Sequence, residues 1–408
     1  MSSPAPPAPA APPAAGPRSI TIPAGLLPAD GRFGSGPSKV RPEAAAEVAA
    51  QGRSLLGTSH RRDGVRSLVG RLRAGLAELF GIAAGWEVLL GNGGTTTFWD
   101  AASFGLVVDR SRHYCFGEFS DKFAGVVRRA PHLADPDVVE SAPGTHPDPN
   151  AGAPGGTSGG TPGGIDTVAL THNETSTGVC MPVRRPDWAR AASSAGPPSP
   201  DGRPLVLVDA TSAAGAMPWD PAEADCYYFA PQKAFAADGG LWIALCGPAA
   251  VERIERLGGT GPAGGRWAPA TLDLTLALSN SRQNQTYNTP ALATILLTLN
   301  TLEWMLAAGG LEWSAARARA NSDTVYDWAT ARDWCRPFVD DAEMRSPVVC
   351  TVDFDGVSAD DIAAVLRANG IVDTEGYRKL GRNQLRIAAF PAIDTADVEA
   401  LCACIDFV

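Results

Sequence analysis

Hydrophobic and polar positions follow two rhythms along the chain. Between residues 86 and 246 short apolar runs recur, at 86–90, 113–116, 165–171, 204–209, 226–229 and 239–246. Several are so continuously apolar that they predict strands covered on both faces of a parallel sheet. Helical spacing fills the intervals. Pro42 suits the first turn of a helix running to about Leu56, and Leu68, Leu72, Leu76, Leu79 and Phe80 recur three and four residues apart on one face. A glycine-rich turn at 91–94 then opens a further helix carrying Phe98, Trp99, Phe104 and Leu106. Residues 291–308 predict a long core or interface helix, too interrupted by Thr294, Thr298, Asn300, Thr301 and Glu303 to span a membrane.

Beyond it the pattern changes. Helices to about residue 332, a strand over 348–354, a helix over 358–369, strands near Ile371 and over 385–388, and a last helix from Asp394 describe a smaller α+β unit. The fold class is therefore α/β, a large domain with a mainly parallel sheet flanked by helices plus a smaller C-terminal α+β domain. The expected divisions are an Ala/Pro-rich tail at 1–17, a joining segment at 18–45, a large domain at 46–305 with a flexible Pro-Gly-Thr insertion at 143–164, and a small domain at 306–408.

Composition narrows the function. A net charge of −10 with no polybasic block argues against nucleic acid and leaves small anionic substrates open. The first 17 residues lack the charged and uninterrupted apolar regions of a secretory signal. Eight cysteines contain no C-x-x-C pair, so a reducing cytoplasm is expected. Five histidines without ligand spacing predict no metal site.

Of 34 lysines and arginines only four are lysines, at 39, 122, 233 and 379. Lys233 alone follows an aromatic strand-like run, Cys-Tyr-Tyr-Phe-Ala-Pro-Gln-Lys, where its amine is of more use than its charge. A desolvated lysine can lose its proton and join a carbonyl, which arginine cannot do. A surface lysine is the plain alternative. Asp209 closes the preceding apolar run, at the strand end where open α/β sheets bind ligands. An acid for a ring nitrogen and an amine for an aldehyde are what pyridoxal phosphate requires; a turn aspartate is the commoner fate of such a residue.

Three further stretches suit anions. Gly91-Asn92-Gly93-Gly94-Thr95-Thr96 opens a helix and offers backbone N–H groups to a phosphate, although it is neither a clean dinucleotide fingerprint nor a Walker loop. His60, Arg61 and Arg62 form a basic turn. His172-Asn173-Glu174-Thr175-Ser176-Thr177 clusters hydrogen-bonding side chains at a strand end. Phe119, just past another strand, could cover a planar ring, with core packing as the alternative.

Taken together, F-G-S-G-P-S, T-S-H-R, G-N-G-G-T-T, H-N-E-T-S-T-G-V, P-Q-K, Y-N-T-P and R-I-A-A-F, in this order from Phe33 to the C-terminus, resemble the phosphoserine aminotransferases, fold-type I pyridoxal phosphate enzymes, in their actinobacterial form. The resemblance implies transamination between glutamate and 3-phosphohydroxypyruvate in serine biosynthesis, with a further part in pyridoxine biosynthesis. It implies Lys233 as the Schiff-base lysine, Asp209 at the ring nitrogen, Thr175 at the ring hydroxyl and Phe119 stacked on the ring. Thr95, Thr96 and Gln232 would hold the cofactor phosphate, completed by Asn288 and Thr289 of the second subunit of a homodimer. Arg386 would take the α-carboxylate, and His60, Arg61 and Arg378 the distal anion. Tyr377 stands where the enterobacterial pattern has a histidine. Two alternatives remain at this point. One is another reaction on the same scaffold, such as a different transamination, a lyase, or a desulfurase for which Cys180 is the nearest cysteine in sequence; the other is a nucleotide-binding or regulatory protein.

Overall fold

The computed structural model describes residues 20–150, 164–190, 202–258 and 265–408. The tail at 1–17, most of the expected insertion at 143–164, and residues 259–264 lie outside them. The helices are α1 (Pro42–Gln51), α2 (Asp63–Leu79), α3 (Thr95–Gly105), α4 (Glu118–Arg129), α5 (Pro248–Gly258), α6 (Leu274–Arg282), α7 (Leu292–Ala308), α8 (Gly310–Thr330), α9 (Ala359–Ala368) and α10 (Thr395–Phe407). The strands are β1 (Glu87–Asn92), β2 (Arg110–Cys115), β3 (Asp137–Glu140), β4 (Ile165–Thr171), β5 (Asn173–Glu174), β6 (Val179–Cys180), β7 (Leu205–Asp209), β8 (Cys226–Phe229), β9 (Leu241–Cys246), β10 (Cys335–Pro337), β11 (Val349–Phe354) and β12 (Gln384–Ala388).

Seven strands form the main sheet in the order β1-β9-β8-β7-β4-β2-β3, with β9 running against its neighbours and the others parallel. The apolar runs read as central strands occupy its middle because both faces are covered. On one face Leu90, Val168, Val206, Val208, Tyr227, Phe229 and Ile243 join a core that continues into the C-terminal unit. Their alternating neighbours Leu89, Ala169, Leu205, Leu207, Tyr228 and Trp242 pack on the other face against Phe98, Trp99 and Phe123 of α3 and α4. Among the described residues no single helix is long and apolar enough to cross a membrane.

The three-stranded sheet β10-β11-β12 is antiparallel and packs with α8, α9 and α10. Two sequence expectations need correction here. The first helix stops at Gln51, because the chain turns at Gly52 and then crosses to Gly57, whose φ is +76°. Near Ile371 there is no strand but two isolated bridges, Arg32 with Val372 and Glu375 with Leu385. Asp373 between them has a φ of +64°, which breaks the extended run.

Residues 30–39 strap the two units together. Phe33 exchanges backbone hydrogen bonds with Val372 and Ala388, while the Ser38 N–H donates to Gln232 O at 2.9 Å and its hydroxyl to Lys233 O at 2.7 Å. The strap is anchored by Lys39, which is only 6% exposed and lies 3.6 Å from a carboxylate oxygen of each of Asp30, Asp394 and Asp397. Removing the ammonium would leave the buried Asp397 carboxylate without its cation and facing the half-buried Asp30. Lys39→Met is therefore expected to destabilise the chain by about 3 kcal/mol and lower its Tm in thermal unfolding; an unchanged Tm would mean the carboxylates are satisfied by water instead.

Candidate active site

β4, β7 and β8 are parallel neighbours, and their C-terminal ends deliver Thr175, Asp209 and Lys233 to one edge of the sheet. Lys233 is 6% exposed and its amine donates to Thr175 Oγ1 at 2.7 Å. Burial, with the positive charge of Arg386 behind it, pushes the Lys233 ammonium down to about 7, against the opposing pull of the Asp209 and Glu174 carboxylates. Gly36 of the strap closes over it. Its φ is +145°, and a Cβ there would come 2.8 Å from Lys233 Cε, so glycine is required both by the backbone and by the space. The strap loop beginning Arg32-Phe33-Gly34 thus presses backbone against the amine itself.

Asp209 is held on both oxygens. Its Oδ1 accepts from the Thr211 N–H at 2.9 Å and from the Thr211 hydroxyl at 2.6 Å, and its Oδ2 from Trp99 Nε1 at 3.0 Å. Burial nevertheless keeps its carboxyl above the usual carboxylate range, those hydrogen bonds only partly offsetting it. A carboxylate so desolvated gains by meeting a cation such as a protonated ring nitrogen. Trp99 and Thr211 were not identified as site residues from sequence. The available signal was weak: Trp99 lies one helical turn after Thr95, whose own hydroxyl is 2.8 Å from that of Thr211.

Phe119 lies beside the amine, its ring centroid 5.4 Å from Lys233 Nζ and 6.1 Å from the ring of Tyr377. It is placed by Glu174, a fully buried carboxylate at the N-terminus of α4 that accepts from the N–H of Phe119 at 3.1 Å and of Ser120 at 2.9 Å. This cap was also missed, although Glu174 stands within the polar cluster noted in the sequence. Arg386, on β12, donates to Thr175 O at 3.2 Å, lies 5.2 Å from the Tyr377 ring and pairs with no carboxylate among the described residues. Arg378 is exposed and likewise has no hydrogen bond or ion pair from its side chain among the described residues, while neighbouring Lys379 pairs with Glu118 of α4. The 377–380 turn is thereby tied over the Phe119 side of the site.

α3 begins at Gly94 without a side-chain cap, and Thr96 in its first turn is exposed. Gln232, beside Lys233, has a buried Oε1 with no partner among the described residues. His60, Arg61, Asn288 and Thr289 stand apart. Thr289 meets His60 Nδ1 at 3.3 Å and its carbonyl takes the Asn92 amide, but no bond among the described residues joins these four to the Lys233 group. Cys180 faces away: its thiol donates to Arg345 O at 3.3 Å, and burial pushes it up to about 11. It is neither aimed at Lys233 nor ionised, which removes support from the desulfurase alternative.

The residues fit pyridoxal phosphate. They supply a low-affinity amine, a fixed buried carboxylate, a ring on one flank, an uncapped helix start and an unpaired buried amide oxygen. The amine also makes folding sensitive to pH. Its proton affinity falls from 10.5 in the open chain to about 7 in the folded one, so between these values only the unfolded chain holds the proton, and stability rises with pH across that window. Lys233→Met in the cofactor-free chain is expected to stabilise most below about pH 7, by no more than about 5 kcal/mol, and progressively less toward pH 10. Thermal unfolding of both proteins across this range checks it; a stability gap independent of pH would mean the amine keeps its ordinary affinity.

Residues 163–383 match the family model for aminotransferase class-V. A phosphoserine aminotransferase from a Nocardioides species is 54% identical over 391 residues, covering 96% of this chain and 98% of the relative. A putative phosphoserine aminotransferase from Mycobacterium leprae is 51% identical over 391 residues, covering 96% and 97%. Among solved structures, a phosphoserine aminotransferase from Cytophaga hutchinsonii superposes with a TM-score of 0.79 at 22% identity, over 93% of this chain and 99% of that one. An aspartate aminotransferase from Thermus thermophilus superposes with a TM-score of 0.75 at 23% identity, over 91% and 97%. The fold is thus the fold-type I aminotransferase fold, shared by enzymes of different substrates, whereas the close relatives are of one kind. This chain belongs to the class-V aminotransferases and, within them, to the phosphoserine aminotransferase family.

Proposed function

We propose that this protein is a phosphoserine aminotransferase that moves an amino group from glutamate to 3-phosphohydroxypyruvate, giving O-phosphoserine and 2-oxoglutarate for serine biosynthesis. The observation that carries the reading is the buried amine of Lys233, 2.7 Å from Thr175 and flanked by Phe119 and Asp209, in a chain 54% identical to an enzyme of that name. Family membership sets aside a nucleotide-binding or regulatory protein. Pyridoxal phosphate is the cofactor; when bound, it carries the amino group between the two substrates and withdraws electrons from the substrate carbon.

The chain's own residues supply the rest. Lys233, Asp209, Thr175 and Phe119 would hold the ring, and the first-turn N–H groups at Thr95 and Thr96 with Gln232 the phosphate. The Lys233 amine, balanced near 7, can take a proton at Nζ and return it at neutral pH. Asp209, fixed by Trp99 and Thr211, keeps a positive charge opposite itself. Arg386, desolvated and without a carboxylate of its own, would bind and orient the α-carboxylate. Arg378, His60 and Arg61 would receive the distal phosphate or carboxylate. In this reading residues 46–305 form the cofactor-binding domain and 306–408 the domain that brings Arg378 and Arg386.

We also infer a homodimer in which Asn288 and Thr289 complete the other subunit's phosphate site. Their exposure, and the lack of any bond to their own Lys233 group among the described residues, supports it. A cytoplasmic location is inferred from eight cysteines that are all free thiols.

Two experiments test these roles. Trp99→Phe removes one hydrogen bond to a charged acceptor, a contact of about 1.5–3 kcal/mol, so cofactor titrated into the cofactor-free chain should bind roughly ten-fold or more weakly by absorbance. Unchanged affinity would leave Asp209 under the control of Thr211 alone. Arg378→Ala should reduce half-reaction efficiency with phosphoserine and glutamate by roughly one to two orders of magnitude and hardly alter alanine, which has no distal anion. Equal losses for all three donors would make this arginine structural and overturn the proposed distal site.

A further inference from the structure

Behind Lys233 lies a short buried hydrogen-bond chain of two hydroxyls, Thr175 and Ser212, ending on Asn173. Thr175 Oγ1 is 2.9 Å from Ser212 Oγ, which is 3.0 Å from the backbone oxygen of Asn173 and 2.8 Å from the Asn173 side-chain nitrogen. Ser212 is 1% exposed, and Thr175 and Asn173 are buried beside it. The chemistry of these partners fixes the direction of every bond. A carbonyl only accepts, so the single Ser212 proton goes to Asn173 O. The Asn173 NH₂ only donates, so it occupies one lone pair of Ser212. One lone pair remains, and Thr175 must donate to it.

We propose that Ser212 is a positioning residue of this site: by taking the Thr175 proton, it obliges Thr175 to meet the Lys233 amine solely as an acceptor. An accepting hydroxyl favours the charged, protonated amine over the neutral one, because the bond to an ammonium is charge-assisted. Ser212 therefore raises the proton affinity of an amine that burial lowers, through Thr175 and without touching Lys233. Without the Ser212 hydroxyl, the Thr175 proton has its nearest acceptor in the lone pair of Lys233, which exists only on the neutral amine. The charged groups that act on Lys233 from neighbouring elements, Arg386 on β12, Asp209 on β7 and Glu174 on β5, stay in place when Ser212 is replaced.

The proposal rests on Lys233 being the amine of the reaction, yet its test does not require turnover. The full-length chain, freed of cofactor and labelled at lysine carbons, has only four lysines to resolve by NMR, and Lys233→Met assigns the one of interest. Ser212→Ala is expected to lower the Lys233 titration midpoint by roughly one pH unit. Thr175→Val should also lower it, and adding Ser212→Ala to Thr175→Val should change nothing further, as expected of groups acting in series. If Ser212→Ala does not fold, Ser212→Cys serves, with a smaller shift in the same direction from its weaker acceptor. An unmoved or raised midpoint, or an equal additional shift in the Thr175→Val background, overturns the proposal. Such a failure leaves the assignment of Lys233 standing, since that assignment falls only if Lys233→Met keeps transaminating.

Discussion

Everything at this site depends on keeping one lysine amine out of water without pairing it to a carboxylate. A lysine so placed is costly to the fold, and its proton is held weakly. The protein achieves it by converging four segments on Nζ: the end of β8 that carries Lys233, the turn after β4 with Thr175, the start of α4 with Phe119, and the glycine strap at 34–38. None of the four can be ordered alone. The strap is fixed by Lys39 in its cage of carboxylates, α4 by Glu174, and the β4 turn by Ser212. The polar bonds around the site thus act mainly on position, and the free energy that tolerates them comes from the two apolar faces of the large sheet.

How much of this was legible in the sequence follows from the range of the interactions involved. Asp209 and Lys233 stand out because each terminates an apolar run, and a run of that kind in an α/β pattern has its ligand edge at its C-terminal end. Lys233 gains further weight from the scarcity of lysine in the chain. Glu174, Trp99, Ser212 and Lys39 give no comparable signal. Each acts on a residue far away in sequence, 110 positions in the case of Trp99 and Asp209 and more than 350 in that of Lys39 with Asp394 and Asp397, and only the tertiary fold brings them within reach. The helix end at Gln51 and the missing strand near Ile371 have the opposite cause, local backbone that apolar periodicity does not register: a turn starting at Gly52 in the first case and the left-handed Asp373 in the second.

The positive charges show a division of labour that net charge hides. Most buried guanidinium groups are neutralised locally, Arg253 by Asp166 and Arg185 by Asp225 among them. Arg386 is the contrast: burial lowers its proton affinity, Tyr377 and Glu174 only soften that, and its Nε has no partner among the described residues. A desolvated guanidinium left open in this way is pre-organised for a carboxylate, because its side-chain entropy and its dehydration are already spent in folding.

Arg378 lies at the other extreme, exposed on a turn that Lys379 ties to Glu118. Its interaction with an anion is weakened by water and salt and requires ordering of the side chain, so it contributes less to affinity per contact. In the proposed reading this asymmetry suits the two ends of the substrate. The α-carboxylate, common to every amino acid, has to be held in one orientation relative to Lys233, which is work for the half-buried Arg386, held by its bond to Thr175 O. The distal group differs between glutamate and phosphoserine in shape and charge. An exposed arginine whose side chain has no partner among the described residues can follow both, so that selectivity for distal anions is kept while either of the two substrates is accommodated.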